Sequence, residues 1–589
     1  MGAIDVNSLF GRAEQAFAAG RFEAARADVK EVERLAGQHP AVLHLLALIE
    51  KKCGDLQAAR QAFQSALHLA PEDPQINNNF ANLLDQLGEH ERALAHFDRA
   101  VAASPGFIDA RFNRALLLQR LARLEEAHLE MERVASMRLG DPRIQSARGS
   151  LFRALGRLDE GAAAYDAALR LQPERPTALH GRARIAMERG EIDASERFRR
   201  ALAVSPGDPM LRLGLAEALE AEGKPGAVEC LAEAVAERPE WAEGQAALAR
   251  MRWEAGEGTD FTRDLEHAVA IMPQNRDLWL AYAAALADAD LSADAADAAA
   301  RGGVAVGGDA RLSLLEALHA SESGQLERAD ALYEAMPDLP GRSVQELRHR
   351  LRQKDYARAH ELALEALSEE PWSVTAWAMT GLIWRLTDDP RVDWLLAQPG
   401  LIGSGDLALD AGEAIRLTGL LRSLHRTRAH PIGQSLRGGT QTRGRLFDRQ
   451  EPEIRGLRDR LAEAVLRHWN ALPDHDPGHP LLRHRASAPR FDGSWSVRLT
   501  DGGFHVAHIH PHGVLSSACY FTVPEPIAPQ EGWLEIGGPP TGLDLPLEPL
   551  ARIEPRAGRV ALFPSYMYHG TRPFSAGERL TVAFDVVAA

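Results

Sequence analysis

The chain has 589 residues, 45% of them hydrophobic and 25% charged, a composition that builds packed cores. Lys plus Arg total 67 against 83 Asp plus Glu, a net charge of −16, which argues against a protein that coats nucleic-acid phosphates. Three scattered cysteines, Cys53, Cys230 and Cys519, exclude a disulfide framework and a structural zinc cluster. The N-terminus has no basic n-region or apolar h-region, and no apolar run reaches the roughly 18 residues of a membrane span. A cytoplasmic protein with no nucleic-acid or membrane partner is expected.

The first three hundred residues repeat. Prolines close helical phrases at Pro71, Pro105, Pro173, Pro206, Pro239 and Pro273, in steps of 34, 68, 33, 33 and 34 residues. Ala66, Ala100, Ala168, Ala201, Ala234 and Ala268 each precede one of them by five residues. Gly54, Gly88, Gly156, Gly190 and Gly223 mark a second break inside each period. At the skipped repeat the chain has Ala122 and Val134. Glycine tolerates the left-handed cap that ends a first helix, and proline cannot continue a second. The small alanine lets the two helices approach. Residues 7–275 resemble tetratricopeptide repeats, and the array is assigned to residues 1–275.

From 276 to 400 the pattern weakens into divergent helical repeats. An Ala-rich stretch at 283–300 is expected to end at Arg301-Gly302-Gly303, and a helical phrase at 355–367 precedes Pro371. Two readings of the array stand: a scaffold, or a groove for a peptide or protein partner.

Composition changes near 400. Pro399-Gly400 and Gly403-Ser404-Gly405 read as a junction, and 434–442 as a polar, Gly-rich loop whose Ser435 and Arg437 read first as a plain surface loop and second as a substrate or cofactor loop. Residues 452–472 read as an amphipathic helix with Ile454, Leu457, Leu461, Val465 and Trp469 on one face. The apolar period then drops to two. Strands are expected at 494–500, 504–510, 516–523, 532–536, 559–563 and 579–587, a pattern of sandwiches and jelly rolls. Residues 401–589 form this last domain.

Four histidines crowd Phe504-His505-Val506-Ala507-His508-Ile509-His510-Pro511-His512. On a strand His508 and His510 share a face and His505 faces the other way. With His569, from a distant strand, they can hold a divalent metal. Strand 579–585 puts Arg579, Thr581, Ala583 and Asp585 on one face. An inward arginine needs an anion, and its planar guanidinium suits a carboxylate; the competing reading is an ion pair with Glu578 or Asp585.

The C-terminal 150 or so residues resemble the iron- and 2-oxoglutarate-dependent oxygenases, in particular a bacterial branch fused to tetratricopeptide repeats. The resemblance rests on His508-Ile509-His510-Pro511, Ser516 to Phe521, Gly558 to Ser565, His569 and Gly577 to Phe584. It implies a double-stranded β-helix (jelly-roll) domain after the α-solenoid, Fe(II) held by His508 and His569, and 2-oxoglutarate anchored by Arg579 with Thr581 and Tyr520 as further contacts. It also implies hydroxylation of a peptide or protein recruited by the repeats, with no catalytic residue beyond the metal centre. One departure stands out: the family's usual His-x-Asp or His-x-Glu is His508-x-His510 here, so His510, a water or an oxygen of Asp585 takes the third position. Related hydroxylases of aspartyl and asparaginyl residues also lack that carboxylate. The rival readings are a non-catalytic interaction protein with a degenerate or sensing β domain, and a cupin-like enzyme that uses another metal without 2-oxoglutarate.

Overall fold

The computed structural model describes residues 5–525 and 528–588. The chain divides into two compact units, Met1–Ile185 and Ala186–Ala589.

The first unit is a solenoid of paired helices, among them Pro40–Cys53 with Leu56–Leu69, Pro74–Gln86 with His90–Ala103, and Pro142–Ala154 with Leu158–Leu171. The period seen in the sequence has a physical cause at each position. Ala66, Ala100 and Ala168 are fully buried where the paired helices approach. Pro71, Pro105 and Pro173 each fall two residues beyond a helix end. Asp73-Pro74 and Asp141-Pro142 open the next helix: the carboxylate accepts backbone N–H groups and the proline takes the first turn, where its missing donor costs nothing. Gly54 caps its helix at φ 86, and in the altered repeat Ala122 takes the same left-handed turn at φ 57.

In the second unit the helical pattern continues from Ala194–Val204 to Arg391–Leu396. The Ala-rich stretch is two helices, Arg276–Asp288 and Ser292–Ala305, with Asp290 at φ 62 between them. The expected stop at Arg301-Gly302-Gly303 is corrected: the helix runs through both glycines. Gly302 is buried against Trp279, and a Cβ there would lie 2.8 Å from the indole. Glycine here serves close helix packing and ends nothing.

Nine strands among the described residues form one antiparallel sheet curled on itself: β1 (Gly403–Asp406), β2 (Leu436–Gln441), β3 (Pro489–His508), β4 (Leu515–Thr522), β5 (Leu534–Ile536), β6 (Ala551–Ile553), β7 (Arg559–Pro564), β8 (His569–Thr571) and β9 (Glu578–Ala588). The order is β1-β7-β4-β9-β3-β8-β5-β6, with β2 also on β3. This is the barrel-like arrangement of a double-stranded β-helix. Two segments expected to be irregular are strands. Gly403-Ser404-Gly405 belongs to β1 and pairs with β7, and most of the expected 434–442 loop is β2. The two strands expected at 494–500 and 504–510 are the single long β3, turned at Gly502 (φ 79) so that its first part pairs with β9 and its last with β8.

Helix Pro452–Ala471 buries Ile454, Leu457, Leu461, Val465 and Trp469. Its side chains share one apolar core with the strands and with helices Arg342–Arg352 to Arg391–Leu396.

Residues 426–450 run along the ends of the repeats in this unit. Gln450 N–H donates to the carbonyl of Arg189, Arg426 Nη1 to Ala221, Arg428 and Ala429 N–H to Glu254, and Gly433 N–H to Asp288. Each acceptor lies at or next to the C-terminus of a first helix, where carbonyls lack an intrahelical partner. Arg443 pairs with both Glu220 and Glu254. The repeats thus hold by backbone contacts the segment that leads into β2.

Candidate metal centre

β3 and β8 bring the site together. His508 and His569 are cross-strand partners with ring centroids 4.2 Å apart. His510 follows just past the end of β3, its centroid 4.9 Å from His569 and 5.0 Å from His508. Ligand nitrogens of all three lie within 4.8 Å of one another.

The hydrogen bonds fix which nitrogen faces the centre. His508 Nδ1 lies 2.9 Å from the Val506 carbonyl, His569 Nδ1 3.2 Å from the Met567 carbonyl, and His510 Nδ1 2.5 Å from Asp585 Oδ1. Those oxygens accept, so each Nδ1 donates and each Nε2 is left with a lone pair. The Nε2 atoms of His508 and His510 are 3.0 Å apart. Two lone pairs at that distance repel unless a cation sits between them. Two nitrogens bound at right angles to one ion at about 2.1 Å are separated by roughly 3 Å, so the spacing suits a metal. Burial keeps His508 and His569 in the neutral form: it pushes His508 down to about 3 and His569 well below the usual histidine range, with the neighbouring rings adding to the effect.

His505 is placed differently from expectation. Three steps on β3, from His505 to His508, face two on β8, from Thr571 to His569. This bulge reverses the alternation, and the His505 ring stacks 5.8 Å from His508. Ser435 is likewise corrected from a surface loop. Its Oγ lies 3.2 Å from His508 Nε2 and 3.1 Å from His505 Nδ1. Arg437 pairs with Asp290 at 2.5 Å. No sequence spacing signals Ser435; its place depends on the β2–β3 pairing and on the clamp at Asp288.

A cavity of about 690 Å³ opens over these rings. Arg579, Thr581, Ala583 and Asp585 all line it, as the alternation of β9 requires, with Trp495 and Val497 from β3. Asp288, Asp290, His319, Glu322 and Arg348, from the helical repeats, also line it.

Arg579 is 3% exposed, and its Nε and Nη1 find no hydrogen-bond partner among the described residues. Neither carboxylate weighed as its partner takes that role: Glu578 pairs with Arg422 and Arg498, and Asp585 with His510. A guanidinium left with buried, unmet donors facing a cavity fits a carboxylate ligand. Tyr520 lies beneath it, with the guanidinium carbon 5.0 Å from the ring centroid, and the two side chains interact electrostatically. Thr581 lies opposite Tyr520 across the β4–β9 pair.

Residues 493–585 match the family described as "Putative 2OG-Fe(II) oxygenase". Two tetratricopeptide-repeat families match residues 10–74, 44–108, 146–209 and 180–227, and 86–151. No curated protein matches. Among solved structures, a tetratricopeptide repeat protein from Parabacteroides merdae is similar at 20% identity, covering 41% of this chain and 97% of its own, with a TM-score of 0.35. A repeat-containing protein from Cytophaga hutchinsonii gives 16% identity, 41% and 99% coverage and a TM-score of 0.33. A thermophilic protein of this repeat type from Thermus thermophilus gives 23%, 31% and 97%, and 0.27. The chain therefore joins tetratricopeptide repeats to a C-terminal region that matches the description "Putative 2OG-Fe(II) oxygenase" over a span holding His505, His508, His510, His569 and Arg579.

Proposed function

We propose that the protein is an Fe(II)- and 2-oxoglutarate-dependent oxygenase that hydroxylates a peptide or protein substrate. The observation that carries this reading is the convergence of three Nε2 lone pairs beside a buried guanidinium with unmet donors. His508, His510 and His569 would hold the metal, and Arg579 the far carboxylate of 2-oxoglutarate, with Thr581 and Tyr520 beside it. When bound, iron and keto acid supply the oxidising chemistry, in which oxygen is consumed, 2-oxoglutarate leaves as succinate and carbon dioxide, and a substrate C–H becomes C–OH.

The chain's own part is placement and shielding. The Nδ1 acceptors fix each ring's tautomer and aim its lone pair. Trp495 and Val497 give the cavity an apolar side beside the rings. The repeat residues Asp288, His319 and Arg348 line the same cavity and would meet a substrate that reaches the metal. A solenoid that also contributes a wall of the cavity suits a substrate long enough to touch both, which favours a polypeptide over a small metabolite.

The test is succinate formation from 2-oxoglutarate by iron-loaded protein, wild type against His569→Ala. Wild-type turnover that falls to background in the variant is expected. Equal output from both would refute the assignment.

A further inference from the structure

The inference rests on the metal reading above and concerns the carboxylate that the His-x-His sequence lacks. We propose that Asp585 is a positioning residue that supplies this negative charge from one bond further out, through His510. Asp585 Oδ1 is 2.5 Å from His510 Nδ1, on the ring edge opposite the Nε2 that faces the centre. The other two rings bond only backbone carbonyls at their Nδ1, so His510 alone has a charged partner. A carboxylate in that position makes an imidazole a stronger donor to a metal and holds its plane. His510 needs the help most, since it lies past the end of β3 and no ladder bond fixes its backbone.

The surroundings hold Asp585 in place. It sits near the end of β9, opposite Ser516 of β4, whose Oγ donates to the same Oδ1 at 3.4 Å and pairs with Ser565 Oγ at 3.0 Å. Gly513 turns the chain after His510 close over this cluster: a Cβ there would lie 2.7 Å from Ser565 Oγ and 3.4 Å from Asp585 Cβ. On the other side Trp495 packs 5.4 Å from the His510 ring. In a usual site the carboxylate touches the metal and occupies a position. Here three imidazoles fill those positions, and the charge sits behind one of them.

The test is Co(II) binding to the full chain, wild type against Asp585→Asn, which keeps the shape and removes the charge. Affinity about 10- to 100-fold weaker, with a displaced visible cobalt spectrum and unchanged circular dichroism of the metal-free protein, is expected. Wild-type affinity and spectrum in the variant would overturn the inference alone. A wild type that takes up no Co(II) would overturn the metal reading as well. Should Asp585→Asn not fold, the wild type still decides: with Zn(II) bound, one imidazole N–H proton should resonate far downfield of the other two, and three similar shifts would overturn the inference.

Discussion

Replacing Arg579 by methionine separates a residue kept for ligand binding from one kept for structure. The guanidinium is buried with two donors unmet. Each unmet buried donor costs about 1–3 kcal/mol, so removing both relieves roughly 2–6 kcal/mol. Against this stands the lost contact of the cation with the Tyr520 ring, worth about 2 kcal/mol when desolvated, of which a methionine sulfur recovers a part. The ligand-free Arg579→Met protein should therefore be more stable by about 1–4 kcal/mol. 2-Oxoglutarate binding should move the other way. Two charge-assisted hydrogen bonds contribute about 1.5–3 kcal/mol each, which weakens the keto acid by about 10² to 10⁴-fold in the variant. The assay is thermal unfolding with and without 2-oxoglutarate, in the presence of Fe(II) under nitrogen. The variant should melt higher without the keto acid and gain nothing from it. A variant that melts lower and still responds to 2-oxoglutarate would refute the reasoning.

Two further outcomes test the frame around the site. Burial pushes His425, His468 and His479 down to about 4 and His508 to about 3, against about 6.5 in an unfolded chain. Below pH 6.5 the unfolded state binds more protons than the folded one, so stability present above that pH is lost as pH falls toward 4, at about 1.4 kcal/mol per pH unit for each group. Denaturant melts of metal-free protein should show a steep loss between pH 6.5 and 4.5, and a flat profile would contradict the burial. Arg443→Ala leaves Glu220 and the 3% exposed Glu254 without their main partner, and should lower the stability of the second unit by about 3 kcal/mol. That is the low end for a broken buried pair because Arg250 stays 3.6 Å from Glu254. A loss below about 1 kcal/mol in chemical denaturation would show that the clamp contributes little.

The parts of the fold that obey a short-range rule could be read from the sequence. The 34-residue period, the glycine turns and the buried alanines are local consequences of helix capping and packing. The alternation of Arg579, Thr581, Ala583 and Asp585 is a local property of a strand, and all four line the cavity. Expectation failed where a distant partner sets the outcome. His505 joins the other rings because β3 bulges against β8, a register decided by two strands far apart in the chain. Ser435 reaches His508 because β2 pairs with β3 and because the Asp288 carbonyl holds Gly433. Gly302, a helix breaker in isolation, is where a helix meets Trp279. The lining from the repeats has no sequence signature, since Asp288, His319 and Arg348 share no period with the histidines of the same cavity.

The central claim is that His508, His510 and His569 bind one ion together. Anomalous diffraction at the iron edge from anaerobic crystals loaded with Fe(II) tests it most directly. The expected result is a single site with the Nε2 atom of each of the three rings at about 2.1 Å. An ion bound elsewhere, or one held by only two of these rings, would contradict the account.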